Sequence, residues 1–134
     1  MTWPPAELPL LLMRALTAAL LAILFLQSGL DKVVDRKGNL EWLTGHFAKS
    51  PLRGMVPLMV SVITLLELAA GALSAAGVVQ LFLGATTLAF WGAVLSAVSL
   101  VCLFFGQRLA KDYAGAGGLV PYFILSIGAV ALFQ

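Results

Sequence analysis

One acidic residue stands inside a long apolar segment, and it is the position best suited to chemistry. Glu67 follows Val56 in a run that carries no other charge. In a helix that begins near Val56, Glu67 lies about 16 Å from the helix start, close to the centre of a bilayer. A carboxylate at that depth is costly unless it is paired, protonated or hydrated. The sequence therefore predicts that Glu67 faces the protein interior, with Thr64, Gly71 and Ser74 on the same helical face.

Arg14 is the predicted partner of Glu67. It shares one stripe of the first apolar segment with Thr17, Ser28 and Lys32. Counted from the outer helix ends, Arg14 and Glu67 lie at depths of roughly 9 and 15 Å, a difference that an arginine side chain can cover. Two interpretations stay open at this point. The pair is either a structural ion pair that sets the helix register, or part of a polar cavity that binds a substrate headgroup or relays protons.

A second set of charges is predicted at the opposite helix ends. Asp31 and Lys32 end the first apolar segment, and Arg108, Lys111 and Asp112 lie between the last two. These charges either line the mouth of the bundle and bind a ligand or partner, or act as solvated helix caps that contribute little to stability.

His46 and Cys102 are not expected to carry chemistry. His46 has no second histidine, cysteine or carboxylate at metal-ligand spacing, which predicts an interfacial polar residue and no metal site. Cys102 is the single cysteine, so an internal disulfide and a CxxC redox site are excluded. A small packing residue is the expected role of Cys102.

The composition identifies the elements that must position these residues. The chain has 134 residues, of which 61% are hydrophobic and 10% are charged. A soluble domain is about half apolar and about a quarter charged, so this chain is predicted to be an integral membrane protein. Helices are the only spanning structure that suits segments of this length. We predict one all-α domain over residues 1–134, a four-helix up-and-down bundle with spans at about 8–30, 56–77, 81–105 and 114–133.

A short helix is predicted between the first two spans. Asn39 is its expected N-cap, and Leu40, Leu43 and Phe47 lie on one face. Because it is too short to span, we expect this helix to lie along the membrane surface. The net charge of +2 is too small to indicate a nucleic-acid partner.

The basic residues predict the orientation. Both polar connections fall on one side of the membrane, and Trp3 at the other side suits the headgroup zone. The charged side carries Lys32, Arg36, Lys37, Lys49, Arg53, Arg108 and Lys111, whereas the other side carries only Arg14. The charged connections are therefore predicted to be cytoplasmic, with both termini outside.

Three segments resemble the DoxX family. They are Leu24–Lys32, Glu67–Gly71 and Phe105–Tyr113, and the resemblance extends from about Arg14 to Phe133. The motif positions that this chain fills are Arg14, Gly29, Lys32, Glu67 and Gly71. The resemblance implies a four-helix protein of the bacterial inner membrane, similar to the small membrane subunit of thiosulfate:quinone oxidoreductase. It also implies a link to membrane redox complexes. The wider superfamily includes a receptor-assembly chaperone, so the fold alone does not define the function.

The leading hypothesis is an accessory subunit of a membrane redox complex, with quinone as the candidate ligand and no covalent cofactor or metal. No catalytic activity of the isolated chain is expected. An apolar quinone slot needs one or two hydrogen-bonding groups, which Arg14, Glu67, Trp91 and Tyr122 can supply. The cytoplasmic rim of the protein is predicted to be formed by Lys32, Lys111 and Asp112.

The rival hypothesis is a structural or assembly protein that holds a membrane-protein partner or a second copy through its small-residue faces. A solute transporter is a weaker alternative, because four helices without inverted repeats make a poor transporter.

Overall fold

The computed structural model describes residues 7–134, and every regular element in this range is an α-helix. Trp3 lies outside the described residues. The five helices are α1 (Leu8–Val34), α2 (Arg36–His46), α3 (Val56–Phe82), α4 (Thr87–Leu109) and α5 (Tyr113–Leu132). The predicted four-helix bundle is confirmed, and a short helix, α2, follows the first span.

The end predicted for the second span, at about residue 77, is wrong. Helix α3 continues to Phe82, and the chain turns at Leu83–Thr86. Gly77 is part of a helix contact: a Cβ built on it would lie 2.6 Å from the backbone nitrogen of Ala89. Small residues are used in this way in membrane helices, because they let two backbones approach closely.

The outer surface of the four long helices is apolar. Each is long and apolar enough to cross a membrane. Large side chains such as Leu16, Ile23 and Leu65 are more than two-thirds exposed. A soluble monomer does not expose apolar surface on this scale. The chain is therefore a multi-pass membrane protein whose exposed helix faces contact lipid.

Helix α3 organises the bundle. It makes extensive contacts with α1 on one side and α4 on the other, α4 packs against α5, and α1 contacts α5 only slightly. Two glycines bring α1 and α3 together: a Cβ on Gly29 would lie 2.7 Å from Leu68, and one on Gly71 would lie 2.7 Å from the backbone nitrogen of Leu26. These contacts define the antiparallel register of α1 against α3.

Asp35, and not Asn39, caps α2. The Asp35 carboxylate accepts a hydrogen bond from the backbone N–H of Gly38 at 3.2 Å. Asn39 lies inside the helix, where its side-chain amide donates to the carbonyl oxygens of Asp35 and Asp31. The prediction was wrong because a single residue, Asp35, separates α1 from α2, so the helix starts earlier than expected.

The apolar face of α2 packs on the protein. Leu40, Leu43 and Phe47 contact Val56 and Val60 at the start of α3. The end of the bundle that carries α2 and the α4–α5 turn is called the charged end below.

Candidate functional site

Glu67 is enclosed by the bundle, and its partner is Lys32. The side chain of Glu67 is fully buried in α3, and its Oε1 lies 3.0 Å from Nζ of Lys32 on α1. The Lys32 ammonium also donates to Oγ of Ser28 at 2.9 Å and lies 3.4 Å from the Ser28 carbonyl oxygen. The Lys32 side chain is 15% exposed, so the pair consists of a sealed carboxylate and a cation that reaches the surface.

The predicted pairing of Arg14 with Glu67 is wrong. Nε and Nη2 of Arg14 donate to the carbonyl oxygens of Leu132 and Gln134, at 2.8 and 3.0 Å. The glycine contacts between α1 and α3 place Glu67 level with the end of α1 near Leu30. Arg14 therefore lies about 24 Å further along the helix axis, beyond the reach of its side chain. Arg14 instead ties α1 to the end of α5.

The hydroxyl groups of Thr64 and Ser99 offer Glu67 no proton. Thr64 lies one turn before Glu67 on the same face, and its hydroxyl donates to the carbonyl of Val60. Ser99 is buried in α4 and donates to the carbonyl of Leu95 at 2.8 Å. The close contact of Gly92 with Ser74 sets a register that places Ser99 level with Glu67. Both hydroxyls are satisfied within their own helices, as is usual in membrane helices.

One side of the carboxylate therefore has no hydrogen-bond partner. Oε2 of Glu67 is buried and unpartnered, and Lys32 approaches Oε1 at ion-pair distance without the alignment of a hydrogen bond. Buried polar atoms in proteins are nearly always satisfied, and a buried ion pair is stable only when its remaining lone pairs find donors. The site can thus accept one more donor, such as a proton, a water molecule or a ligand group.

A purely structural role is not needed to explain the pair. The register of α1 against α3 is already determined by Gly29 and Gly71, because neither position has room for a side chain. Apolar residues of similar volume are often at least as stable as a buried ion pair. The ion pair is therefore not what sets the register of the two helices.

The predicted network between Lys32 and the last connection does not form. Asp112 caps α5 by accepting from the backbone N–H of Gly115 at 2.9 Å, and the Arg108 guanidinium lies 4.4 Å from the ring centroid of Tyr113. Lys111 is exposed, with φ of 62°. Lys32 belongs instead to the Glu67 site, because α1 packs against α3 and hardly contacts α5.

His46 is the residue whose contacts sequence analysis missed. Its Nε2 lies 2.7 Å from Oε1 of Gln107 and 3.7 Å from Oδ2 of Asp112, and its ring stacks on Trp42 at 4.7 Å. Part of this arrangement could have been predicted from the sequence. Trp42 and His46 lie four residues apart on a helix, and the other polar connection is predicted on the same side of the membrane. In residues 7–134 no three metal-ligating side chains come together.

Trp91 and Tyr122 do not join Glu67. They are 52% and 41% exposed, whereas Glu67 is sealed. Helix α4 turns its small residues, among them Gly92 and Ser96, toward the interior, and this places Trp91 on the lipid-facing side. The slot predicted from Arg14, Glu67, Trp91 and Tyr122 is therefore not assembled.

An apolar groove of about 260 Å³ lies between α4 and α5. It is lined by Leu100, Val101, Phe104, Leu119, Val120 and Phe123. Because Leu100 directly follows Ser99, the groove reaches the depth of Glu67 in the bundle.

Comparisons of the chain with protein-family models, with curated proteins and with solved structures found no match.

Proposed function

We propose that the protein is an accessory subunit of a quinone-linked membrane redox complex and that it handles protons at the Lys32–Glu67 pair. The observation that carries the proposal is the sealed carboxylate of Glu67, which has one oxygen beside an ammonium and the other without a partner. An ionisable group kept at this depth marks a proton or ligand site more often than a structural one.

The chemistry of quinones fits such a site. Reduction of a quinone to a quinol takes up protons as well as electrons, and the reaction occurs in an apolar medium. Lys32 can donate a proton to a quinone oxygen and be reprotonated through Glu67, and the same relay repeated supplies the second of the two protons that a quinol carries. Electrons come from a partner chain in this proposal, in line with the resemblance to the membrane subunit of thiosulfate:quinone oxidoreductase.

The groove between α4 and α5 supports the same function. Its lining is aliphatic and aromatic, which suits an isoprenoid chain, and its Leu100 end lies at the depth of the carboxylate. We place the charged end in the cytoplasm of a bacterial cell, because α2, its flanking segments and the α4–α5 turn carry nearly all the basic residues. Protons then reach the pair from the cytoplasmic side.

Bound quinone tests the proposal. The chain is purified in mild detergent with whatever accompanies it, and ubiquinone and menaquinone are extracted and quantified by mass spectrometry. We expect quinone above the level of empty detergent–lipid micelles, and loss of most of it in Glu67→Gln. Gln27→Ala is the matched control, since Gln27 is exposed on α1 next to Ser28. Quinone at the micelle level in the wild-type protein would contradict the proposal.

A structural or assembly role is the second candidate, and α5 favours it. In the most apolar 18-residue segment of α5, 17% of the residues are buried, against 28–39% in the corresponding segments of the other three spans. A Cβ built on Gly117, Gly118 or Gly128 would meet nothing within 4 Å. Glycines in this setting permit close approach of another helix. If Gly117→Leu disrupts a co-purified complex while Glu67→Gln leaves quinone-dependent activity intact, this role replaces the redox role.

A further inference from the structure

An apolar layer separates Glu67 from the charged end of the bundle. Val60, Thr64 and Glu67 follow one another along one face of α3. Val60 is buried beneath Val56 and Phe47, in a cluster completed by residues of α2 and the following segment. Along α3, water at the charged end therefore meets this layer before it can reach the carboxylate, whose side chain is 1% exposed.

Helix α2 covers this layer from outside, and the C-terminal end of α2 is held by contacts with the end of α4 and the α4–α5 turn. The imidazole of His46 contacts Gln107 at 2.7 Å, and the Phe47 ring lies against Gly106, with Cζ 3.5 Å from the position of an ideal Cβ. Asp112 adds a charged group 3.7 Å from the same ring nitrogen. These contacts tie the end of α2 to the α4–α5 turn.

The rest of α2 is lightly held. None of its residues is buried, and its backbone makes few contacts with α1 and α3. Its main side-chain contacts with α3 are the packing of Leu40 and Leu43 and the bond from Nη2 of Arg36 to Oγ of Ser61 at 2.8 Å, beside the break at Asp35. The helix is bounded by two breaks in helical structure. One is Asp35, with φ of −120° and ψ of 52°, and the other is the irregular segment 47–55. Elements with few buried contacts open at low free energy, so α2 can swing as a unit when its far end is released.

We propose that α2 is a lid over the Lys32–Glu67 site and that the contact of His46 with Gln107 is its latch. Release of the latch removes Phe47 from the apolar layer and admits water to Glu67 from the charged end. The hydrated pair then exchanges protons with that compartment. The lid controls access to the Lys32–Glu67 site. Only the use of the exchanged protons rests on the proposed function.

Carboxyl labelling measures the access directly. The full chain in liposomes is treated with a water-soluble carbodiimide and glycine methyl ester, and the modified peptides are quantified by mass spectrometry. Glu41 and Asp31 are exposed and serve as internal references in every sample. In the wild-type protein we expect Glu67 to react much more slowly than these references.

His46→Ala should raise the labelling rate of Glu67 about fivefold, the change expected when one hydrogen bond is lost from a two-state opening. Labelling of Glu41 should not change. Thr44→Ala is the matched control, since Thr44 lies on α2 and bonds only to the carbonyl of Leu40. Equal labelling of Glu67 in the wild-type protein and His46→Ala would overturn the proposal.

A reversible cross-link separates lid opening from general loosening of the bundle. In a Cys102→Ser background, His46→Cys and Gln107→Cys are joined by a short reducible bis-methanethiosulfonate reagent. Glu67 should react slowly in the cross-linked protein and faster after reduction. Equal rates before and after reduction would refute the lid. Quinone content is measured on the same samples, so failure of the lid is distinguishable from failure of the proposed function.

Discussion

The ammonium of Lys32 lies 3.0 Å from the carboxylate of Glu67 across an α1–α3 interface whose register is set by other residues. Gly29 and Gly71 flank the pair, and each leaves no room for a side chain. The glycines hold the two helices in place, and the pair puts a carboxylate inside an apolar bundle, where an ionisable group is costly. This division of roles leads to separate expectations for stability and for chemistry.

Removing the Lys32 ammonium should lower the stability of the protein more than removing the Glu67 carboxylate. Lys32→Met leaves a sealed carboxylate without its counter-ion, a change that costs about 3–5 kcal/mol for buried pairs. Glu67→Leu should cost less, because Lys32 lies close to the end of α1 and can turn toward the charged end. Reversible unfolding of the purified protein in mixed micelles measures both values.

The double variant Lys32→Met/Glu67→Leu is the control for that comparison. An apolar replacement of the whole pair should recover most of the stability lost in Lys32→Met. Strict additivity of the two single changes would show that the residues do not interact.

Gly71→Ala should destabilise the α1–α3 contact. The added Cβ would lie 2.7 Å from the backbone nitrogen of Leu26, and backbone cannot move aside as a side chain can. Overpacking of this kind costs about 1–3 kcal/mol. The matched control is Gly117→Ala on α5, where an added Cβ meets nothing within 4 Å. There the helix propensity of alanine should leave stability unchanged or raise it by about 1 kcal/mol. Similar losses at both positions would argue against the register described for α1 and α3.

How far sequence analysis succeeds depends on the property in question. Hydrophobicity and length predict the four spans, and the burial of Glu67 follows from the cost of a charge in lipid. The partner of Glu67 depends on how far one helix slides along another. Lys32 and Arg14 lie about five helical turns apart on α1, and which of them meets Glu67 is determined by where glycines meet a facing helix. The latch at His46 depends on two connections meeting in space, which periodicity within one helix does not reveal.

Arg14 should stabilise the end of α5 and leave the Glu67 site unaffected. Its guanidinium bonds to the carbonyls of Leu132 and Gln134, beyond the last helical hydrogen bonds of α5. Arg14→Ala should therefore increase hydrogen exchange in residues 129–134 by an amount that corresponds to about 1–2 kcal/mol. Arg14→Lys cannot make both hydrogen bonds, so it should keep only part of the protection against exchange at the end of α5. A change in the α3 peptide that contains Glu67, with none at the end of α5, would restore the pairing predicted from the sequence.

Lys111 should be replaceable by glycine with a gain in stability. It has φ of 62°, and it lies in a helix-ending turn closed by the bond from the Asp112 N–H to the Gln107 carbonyl at 2.9 Å. The left-handed region costs a non-glycine residue about 1 kcal/mol. Lys111→Gly should raise stability by up to that amount, and Lys111→Val should lower it, as measured by thermal unfolding. No difference between the two variants would show that the turn does not hold this conformation.

Solid-state NMR of the protein in lipid bilayers identifies the side chain that pairs with Glu67. Dipolar recoupling between the side-chain carboxyl carbon of Glu67 and side-chain nitrogens distinguishes a lysine ammonium from an arginine guanidinium by the nitrogen chemical shift. The structure predicts strong dephasing of the Glu67 carboxyl signal by the ammonium of Lys32, and loss of that dephasing in Lys32→Met. Dephasing by the guanidinium of Arg14, or by no side-chain nitrogen at all, would contradict the Lys32–Glu67 site.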